Sequence, residues 1–193
     1  MAKILYLMRH GETLFNQQKK IQGWSDSPLT EKGRKQAEIA GNYFRENHIQ
    51  LEHAFSSTSE RACDTLELVT DLEYRRVKGL KEWNFGTMEA EHEYLNPPLP
   101  YGDFFVSYGG EEEQAFKKRV SDTLLQLMQS VSGSTVLAVS HGASCRQFMR
   151  NWSHTSDVDQ KERIGNCCIL KFAFDHNTFK LLDVINHDFS NLE

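Results

Sequence analysis

Two stretches of this chain echo each other. One is Leu5-Tyr6-Leu7-Met8-Arg9-His10-Gly11-Glu12-Thr13, the other Val136-Leu137-Ala138-Val139-Ser140-His141-Gly142-Ala143-Ser144. Each is an apolar run that ends in a histidine, a glycine and then small or hydroxyl residues. Imidazole can act as nucleophile, base or cation near neutral pH. An arginine keeps its charge and presents a planar fork of N–H donors suited to phosphate oxygens. Glycine lets the backbone turn sharply and approach a ligand with no Cβ in the way. Beyond Gly142 the pattern predicts a helix start, whose free N–H groups would attract an anion. A third stretch, Phe55-Ser56-Ser57-Thr58-Ser59-Glu60-Arg61-Ala62-Cys63-Asp64-Thr65, reads as a strand end running into a helix with Arg61 in its first turn. Histidines among arginines suit a phosphate-like anion. A metal centre on His10, His141 and Glu82 is the competing reading. Arginines beside those ligands would repel a dication, and neither His-x-His nor His-Glu-x-x-His spacing occurs. The remaining histidines read as surface or loop residues, and of these only His92 falls where it could meet a substrate.

The groups can converge only if the apolar runs are neighbouring strands. Ile4 to Met8 and Thr135 to Val139 are continuous runs, as expected of strands buried on both faces of a parallel sheet, and Ala54-Phe55 is a shorter one. Ligands of open α/β sheets bind beyond the carboxyl ends of the strands, which aims both histidines at one edge. Thr30 can cap a helix carrying Ala37, Ala40 and Phe44 at helical spacing. Ser57-Thr58-Ser59-Glu60 has capping-box form ahead of Ala62, Thr65, Leu66 and Val69. Ala115 to Val131 is a third amphipathic helix, with Phe116, Val120, Leu124 and Leu127 inward. Cys168 to Phe174, a turn at His176-Asn177-Thr178 and Phe179 to Ile185 read as a hairpin whose edge could pair with another subunit. The expected fold is therefore α/β: one three-layer α/β/α domain over residues 1–193, with a mostly parallel central sheet and a C-terminal hairpin.

A segment at about residues 87–114 stands apart. From Glu89 to Gln114 there is no lysine or arginine, but there are Pro97, Pro98, Pro100 and the aromatics Tyr94, Tyr101, Phe104, Phe105 and Tyr108. It reads either as a lid over the site or as a surface excursion with its own apolar cluster.

The chain has 193 residues, 39% hydrophobic and 25% charged, with a formal net charge of −5. That charge gives no general attraction to nucleic acid or to anionic lipid, so a bound anion needs a local cation cluster. No apolar run approaches the ~18 residues that span a bilayer. The start is too short for a secretory signal, and Cys63, Cys145, Cys167 and Cys168 lack Cys-x-x-Cys spacing. These features predict reduced thiols and a cytoplasmic location. Cys167 and Cys168 are expected on opposite faces of a strand.

Arg9-His10-Gly11-Glu12-Thr13 with Asn16, Gln22-Gly23-Trp24-Ser25-Asp26-Ser27-Pro28-Leu29-Thr30 with Gly33, Ser56-Ser57 with Arg61-Ala62 and Thr65, Leu80-Lys81-Glu82-Trp83-Asn84-Phe85-Gly86, and Ser140-His141-Gly142 follow one another along most of the chain. In that order they resemble the motifs of the histidine phosphatase superfamily, which includes cofactor-dependent phosphoglycerate mutases and many small phosphatases. The resemblance implies His10 as the phosphorylated nucleophile, its second nitrogen held by a local carbonyl. Arg9, Arg61 and a cationic His141 would hold the phosphoryl oxygens, with Asn16, Gln22, Gly23 and Gly142 also at the phosphate. For Asn16 and Gln22, bonding to their own loop is the competing reading. Glu82 is implied as general acid and base, with a pKa raised under the lid. Neither metal nor other cofactor is called for. Two departures fall in the lid: Glu112 where relatives often carry serine, and Ala90 where they carry glycine.

Three functions remain in view. A hydrolase acting on a small phosphorylated metabolite fits the lack of lid cations, which suggests a neutral or partly apolar substrate body. A phosphoglycerate mutase and a non-catalytic phospho-ligand binder are the alternatives, and oligomeric state is left open.

Overall fold

The structure, a computed structural model, describes residues 2–161 and 163–192. In chain order its elements are β1 (Lys3–Arg9), the one-turn α1 (Leu14–Gln17), α2 (Glu31–Glu46), β2 (His53–Ser57), α3 (Glu60–Val69), β3 (Tyr74–Val77), α4 (Glu113–Ser130), β4 (Thr135–Ser140), α5 (Gly142–Asn151), β5 (Ile169–Asp175) and β6 (Thr178–Ile185).

The strands form one sheet in the order β3-β2-β4-β1-β5-β6. The pairs β3–β2, β2–β4 and β4–β1 are parallel, and β5 runs antiparallel to β1 and β6. Alternation along the strands sends side chains to both faces. Leu5, Leu7, Val136 and Ala138 pack with Phe116, Val120 and Leu124 of α4 and Phe148 of α5. Tyr6, Met8, Leu137 and Val139 pack with Ala37, Ala40 and Phe44 of α2 and Ala62, Leu66 and Val69 of α3. Three α/β/α layers result, and both central strands are fully covered.

Local chemistry sets the ends of the elements. Thr30 caps α2, its hydroxyl accepting from Gly33 N. Glu112 caps α4, its carboxylate accepting from Gln114 N and Ala115 N, so the acid does at this position what a serine would do. The hairpin turn falls on His176 and Asn177, both with positive φ, as a tight two-residue connection demands.

Two local expectations are corrected, and one strand was not foreseen. The cap of α3 is Ser59, which makes no side-chain capping bond, and Asp26 Oδ2 instead accepts from Glu60 N at 2.6 Å. Strand β3 carries little apolar signal (Tyr-Arg-Arg-Val) because it is a half-exposed edge. Cys167 and Cys168 precede β5 rather than lie within it, and Cys167 has φ 55°. They still pack on opposite sides of the sheet.

The segment between β3 and α4 is built of short 3-10 turns. Its Phe105 is fully buried and packs with Trp83, Phe85, Tyr101 and Phe104, so its aromatics extend the main core rather than form a separate cluster. Tyr94, Leu95, Leu99, Val106 and Tyr108 remain exposed.

Candidate active site

Parallel pairing of β1 with β4 aligns Arg9 with Ser140, so the next residues, His10 and His141, emerge side by side. Their ring centroids are 5.3 Å apart, and His10 N donates to Ser140 O at 3.0 Å. His10 Nδ1 lies 2.7 Å from Gly11 O. A carbonyl can only accept, so Nδ1 carries the proton and Nε2 keeps its lone pair. Burial, and then Arg61 and Arg9, hold the His10 pKa well below the usual histidine range. The imidazole is neutral, with one nitrogen fixed and the other available.

Arg61 rises from the first turn of α3 and is fully buried. Nε donates to His10 Nε2 at 3.3 Å, Nη2 to Gly23 O at 2.8 Å, and Nη1 to Ser25 O and Asp26 Oδ1, each at 2.9 Å. Four of the five N–H donors of a guanidinium are thus engaged by the protein. The free fork expected from sequence is here a strut between His10 and the 23–26 loop.

His141 is also fully buried. Its Nε2 lies 2.8 Å from Ser57 Oγ, and its Nδ1 has no partner. Burial, then Arg61 and His10, hold its pKa well below the usual range. That differs from the cationic donor expected, because burial and the neighbouring Arg61, His10, Lys81 and Arg9 all disfavour its protonation.

Arg9 Nη1 donates to Ile164 O at 2.9 Å, whereas its buried Nε has no partner. A Cβ on Gly142 would press against that guanidinium at 3.3 Å, so this position favours glycine by close approach. Glu82 accepts from Ala143 N at 2.8 Å, Ser144 N at 3.0 Å, Ser144 Oγ at 3.1 Å and Trp83 N at 3.0 Å. The N-terminus of α5 is therefore capped by a carboxylate, and those N–H groups are not free for substrate as the sequence suggested.

Asn16 follows the competing reading in part. Its Oδ1 accepts from Thr13 N and from Asn166 Nδ2. Gln22 accepts from Thr13 Oγ1 at 2.7 Å and donates to Ser27 Oγ at 2.9 Å. Gly23 serves through its backbone, its carbonyl on Arg61 and its N–H on Glu89.

Arg9, His10, Asn16, Gln22, Glu82 and Gly142 line one cavity of about 390 Å³. Arg61 and His141 both contact His10 but are not among the wall residues. The rest of the wall includes Trp83, Phe85, Tyr101 and Leu99, and also Lys20, Glu93, Arg146 and Arg150. Thus part of the 87–114 segment does border the cavity. His92 is not among the wall residues.

Sequence reading missed several of these groups. Asp26 binds Arg61, and Ser57 binds His141. Glu89 accepts from Gly23 N, Trp24 N, Ser25 N, Ser25 Oγ and Phe85 N, tying the 23–25 loop to the Glu82 segment. Arg146 could have been found from its spacing, one helical turn after Gly142 on α5. No local pattern marks the pairing of Glu89 with a loop 64–66 residues away.

A family model for the histidine phosphatase superfamily (branch 1) matches residues 5–187. A Salmonella choleraesuis protein described as "Probable phosphoglycerate mutase GpmB" is 35% identical, with 88% of this chain and 84% of that protein aligned. Among solved structures, phosphoserine phosphatase from Entamoeba histolytica in complex with 3-phosphoglyceric acid superposes with a TM-score of 0.80 at 30% identity, covering 96% of this chain and 98% of that one. Phosphoglycerate mutase from Bacillus anthracis gives a TM-score of 0.81 at 25% identity, covering 98% and 94%.

Proposed function

Because this chain belongs to the histidine phosphatase superfamily, we propose that it hydrolyses a small phosphomonoester through a phosphohistidine on His10. The observation that carries this is the neutral His10 ring, pinned through Nδ1 to Gly11 O and lining the cavity. A nucleophilic imidazole needs one nitrogen unprotonated and the other fixed.

In the first step Nε2 attacks phosphorus, the ester P–O bond breaks, and the leaving oxygen takes a proton from Glu82. The long 3.3 Å bond from Arg61 Nε to Nε2 gives way to the new N–P bond. Arg9 Nε and His141 Nδ1, both buried without partners, become donors to the equatorial phosphoryl oxygens. The dianion also raises the proton affinity of His141, offsetting the effect of Arg61. In the second step water attacks phosphorus, its proton passes to Glu82, the N–P bond breaks and inorganic phosphate leaves. Glu82 is positioned for both transfers by the backbone N–H groups of α5 and by its place on the cavity wall.

Water is preferred as acceptor because the segment from Glu89 to Gln114 supplies no cation and puts Glu93 on the wall. One observation favours mutase chemistry as a second reading: Lys20, Arg146 and Arg150 do line the cavity, coming from elements outside that segment. The neutral substrate body expected from sequence is therefore not retained. The test is release of inorganic phosphate from a panel including phosphoserine, 3-phosphoglycerate and alkyl phosphates, with EDTA present. Hydrolysis by the wild type, abolished in His10→Ala, is expected. Interconversion of 2- and 3-phosphoglycerate faster than phosphate release would replace the hydrolase reading with the mutase one.

A further inference from the structure

The proposed reaction asks opposite things of two neighbouring imidazoles. His10 must offer a bare nitrogen, whereas His141 must offer an N–H. Burial and then Arg61 hold the pKa of each ring well below the usual histidine range. Each ring is therefore neutral and carries one proton, whose position has to be fixed.

The partners of the two rings differ in kind. His10 Nδ1 faces a carbonyl, Gly11 O at 2.7 Å, which can only accept. His141 Nε2 faces a hydroxyl, Ser57 Oγ at 2.8 Å, which can accept or donate. Ser57 ends β2, and the register that sets Ser56 beside Val139 carries Ser57 and His141 to one edge of the sheet. The residue is fully buried and held on both sides. Ser59 N donates to its hydroxyl at 3.3 Å where the chain turns into α3, and its carbonyl accepts from Cys63 Sγ at 3.3 Å. One lone pair of the hydroxyl is thus taken, and its proton has to be placed. Among the described residues, His141 Nε2 is the one acceptor that proton has. Were Nε2 protonated instead, two buried groups would go unpaired, the Ser57 hydroxyl proton and the His141 Nδ1 lone pair. With the proton on Nδ1, that N–H alone is unpaired, and a phosphoryl oxygen can accept from it.

We infer that Ser57 donates to Nε2 of His141 and so fixes the ring proton on Nδ1, which makes Ser57 a positioning residue for phosphoryl transfer. It touches no reacting atom. The kind of anchor divides the labour between the rings: a carbonyl leaves His10 a free lone pair, and a hydroxyl leaves His141 a free N–H. The part in transfer rests on the reading of His10 as phosphoryl acceptor, whereas the tautomer does not.

The test is two-bond ¹H–¹⁵N correlation spectroscopy of protein labelled at histidine, with His10→Gln and His141→Gln to assign the rings. Wild type should show Nδ1 protonated and Nε2 bare in both. Ser57→Ala should move the His141 proton to Nε2, the form free histidine favours in water, while His10 keeps its pattern. Phosphate release at saturating alkyl phosphate should fall about 10- to 100-fold in the same variant, as for loss of one buried donor. Ser57→Thr, which keeps the hydroxyl, should restore the tautomer and most of the rate. A His141 protonated at Nε2 in wild type, or an unchanged His141 pattern in Ser57→Ala, would overturn the inference. Disturbance of both rings in Ser57→Ala would mark a general repacking and overturn it as well. A shifted tautomer with an unchanged rate would remove Ser57 from the reaction. A wild type that releases no phosphate would count against hydrolysis, and the spectra would still decide the tautomer.

Discussion

Glu89→Gln probes whether one carboxylate holds the phosphoryl site together. Oε1 of Glu89 accepts from Trp24 N at 2.7 Å and Phe85 N at 3.1 Å. Oε2 accepts from Gly23 N at 2.9 Å, Ser25 N at 3.1 Å and Ser25 Oγ at 2.6 Å. A glutamine keeps one oxygen and turns an NH₂ group toward the other set of donors. In either orientation two backbone N–H groups lose their acceptor and face another donor. At about 1.5 kcal/mol for each half-buried group left unpaired, the cost is about 3 kcal/mol. For a chain of this length that corresponds to a fall of about 6–12 °C in Tm. The loop so released carries the Gly23 and Ser25 carbonyls that brace Arg61. At 20 °C, where the variant is still folded, kcat should therefore fall at least about 10-fold through misplacement of Arg61. Thermal melts followed by circular dichroism and phosphate release at 20 °C measure the two effects. A Tm within about 2 °C of wild type would refute the clamp. A full melting shift with unchanged kcat would show that Glu89 serves stability alone.

Glu82→Gln should slow the first step, release of the leaving alcohol in a single turnover, by about 10²- to 10⁴-fold on alkyl phosphates but far less on p-nitrophenyl phosphate, whose leaving group needs no proton; equal losses in that step would remove Glu82 from the acid role. Ala90 sits at φ 67°, a conformation that costs an alanine about 1–2 kcal/mol. After the entropy glycine adds to the unfolded chain, Ala90→Gly should raise stability by about 0.5–1 kcal/mol, and an unchanged or lower Tm would contradict this. His10 and His141 both have folded pKa values below the unfolded histidine value near 6.5, so above that pH neither state binds the proton and the shift has no effect. As pH falls below about 6.5 the unfolded chain takes up protons that the folded one refuses, and stability drops. Wild type should lose more Tm between pH 7.5 and pH 5 than a His10→Gln/His141→Gln double variant. Parallel losses would argue that the two rings are not held neutral.

Strands and helices were legible where burial writes a pattern. β1 and β4 are covered on both faces and read as unbroken apolar runs, and α2, α4 and the hairpin show their periods directly. Edge strand β3 was not legible, because a strand with one exposed side and charged residues carries no such run. The cap of α3 was misread because its acceptor, Asp26, comes from a loop 34 residues earlier. Similarly, the N–H groups of α5 looked free until Glu82, 61 residues upstream, was found to occupy them.

By itself the sequence picked out the groups to which we assign the chemistry. His10, Arg9, Arg61 and His141 are tied to strand ends and helix starts, and those ends are dictated by local apolar runs and glycines. Only the tertiary structure decided what each group is bonded to. It turned Arg61 into a strut, made Glu82 a helix cap and gave Glu89 the 23–25 loop. The physical reason is that hydrogen-bond partners are distributed by contact in space: a carboxylate and the N–H groups it satisfies need share no sequence neighbourhood, whereas burial imposes a period that every residue along an element must follow.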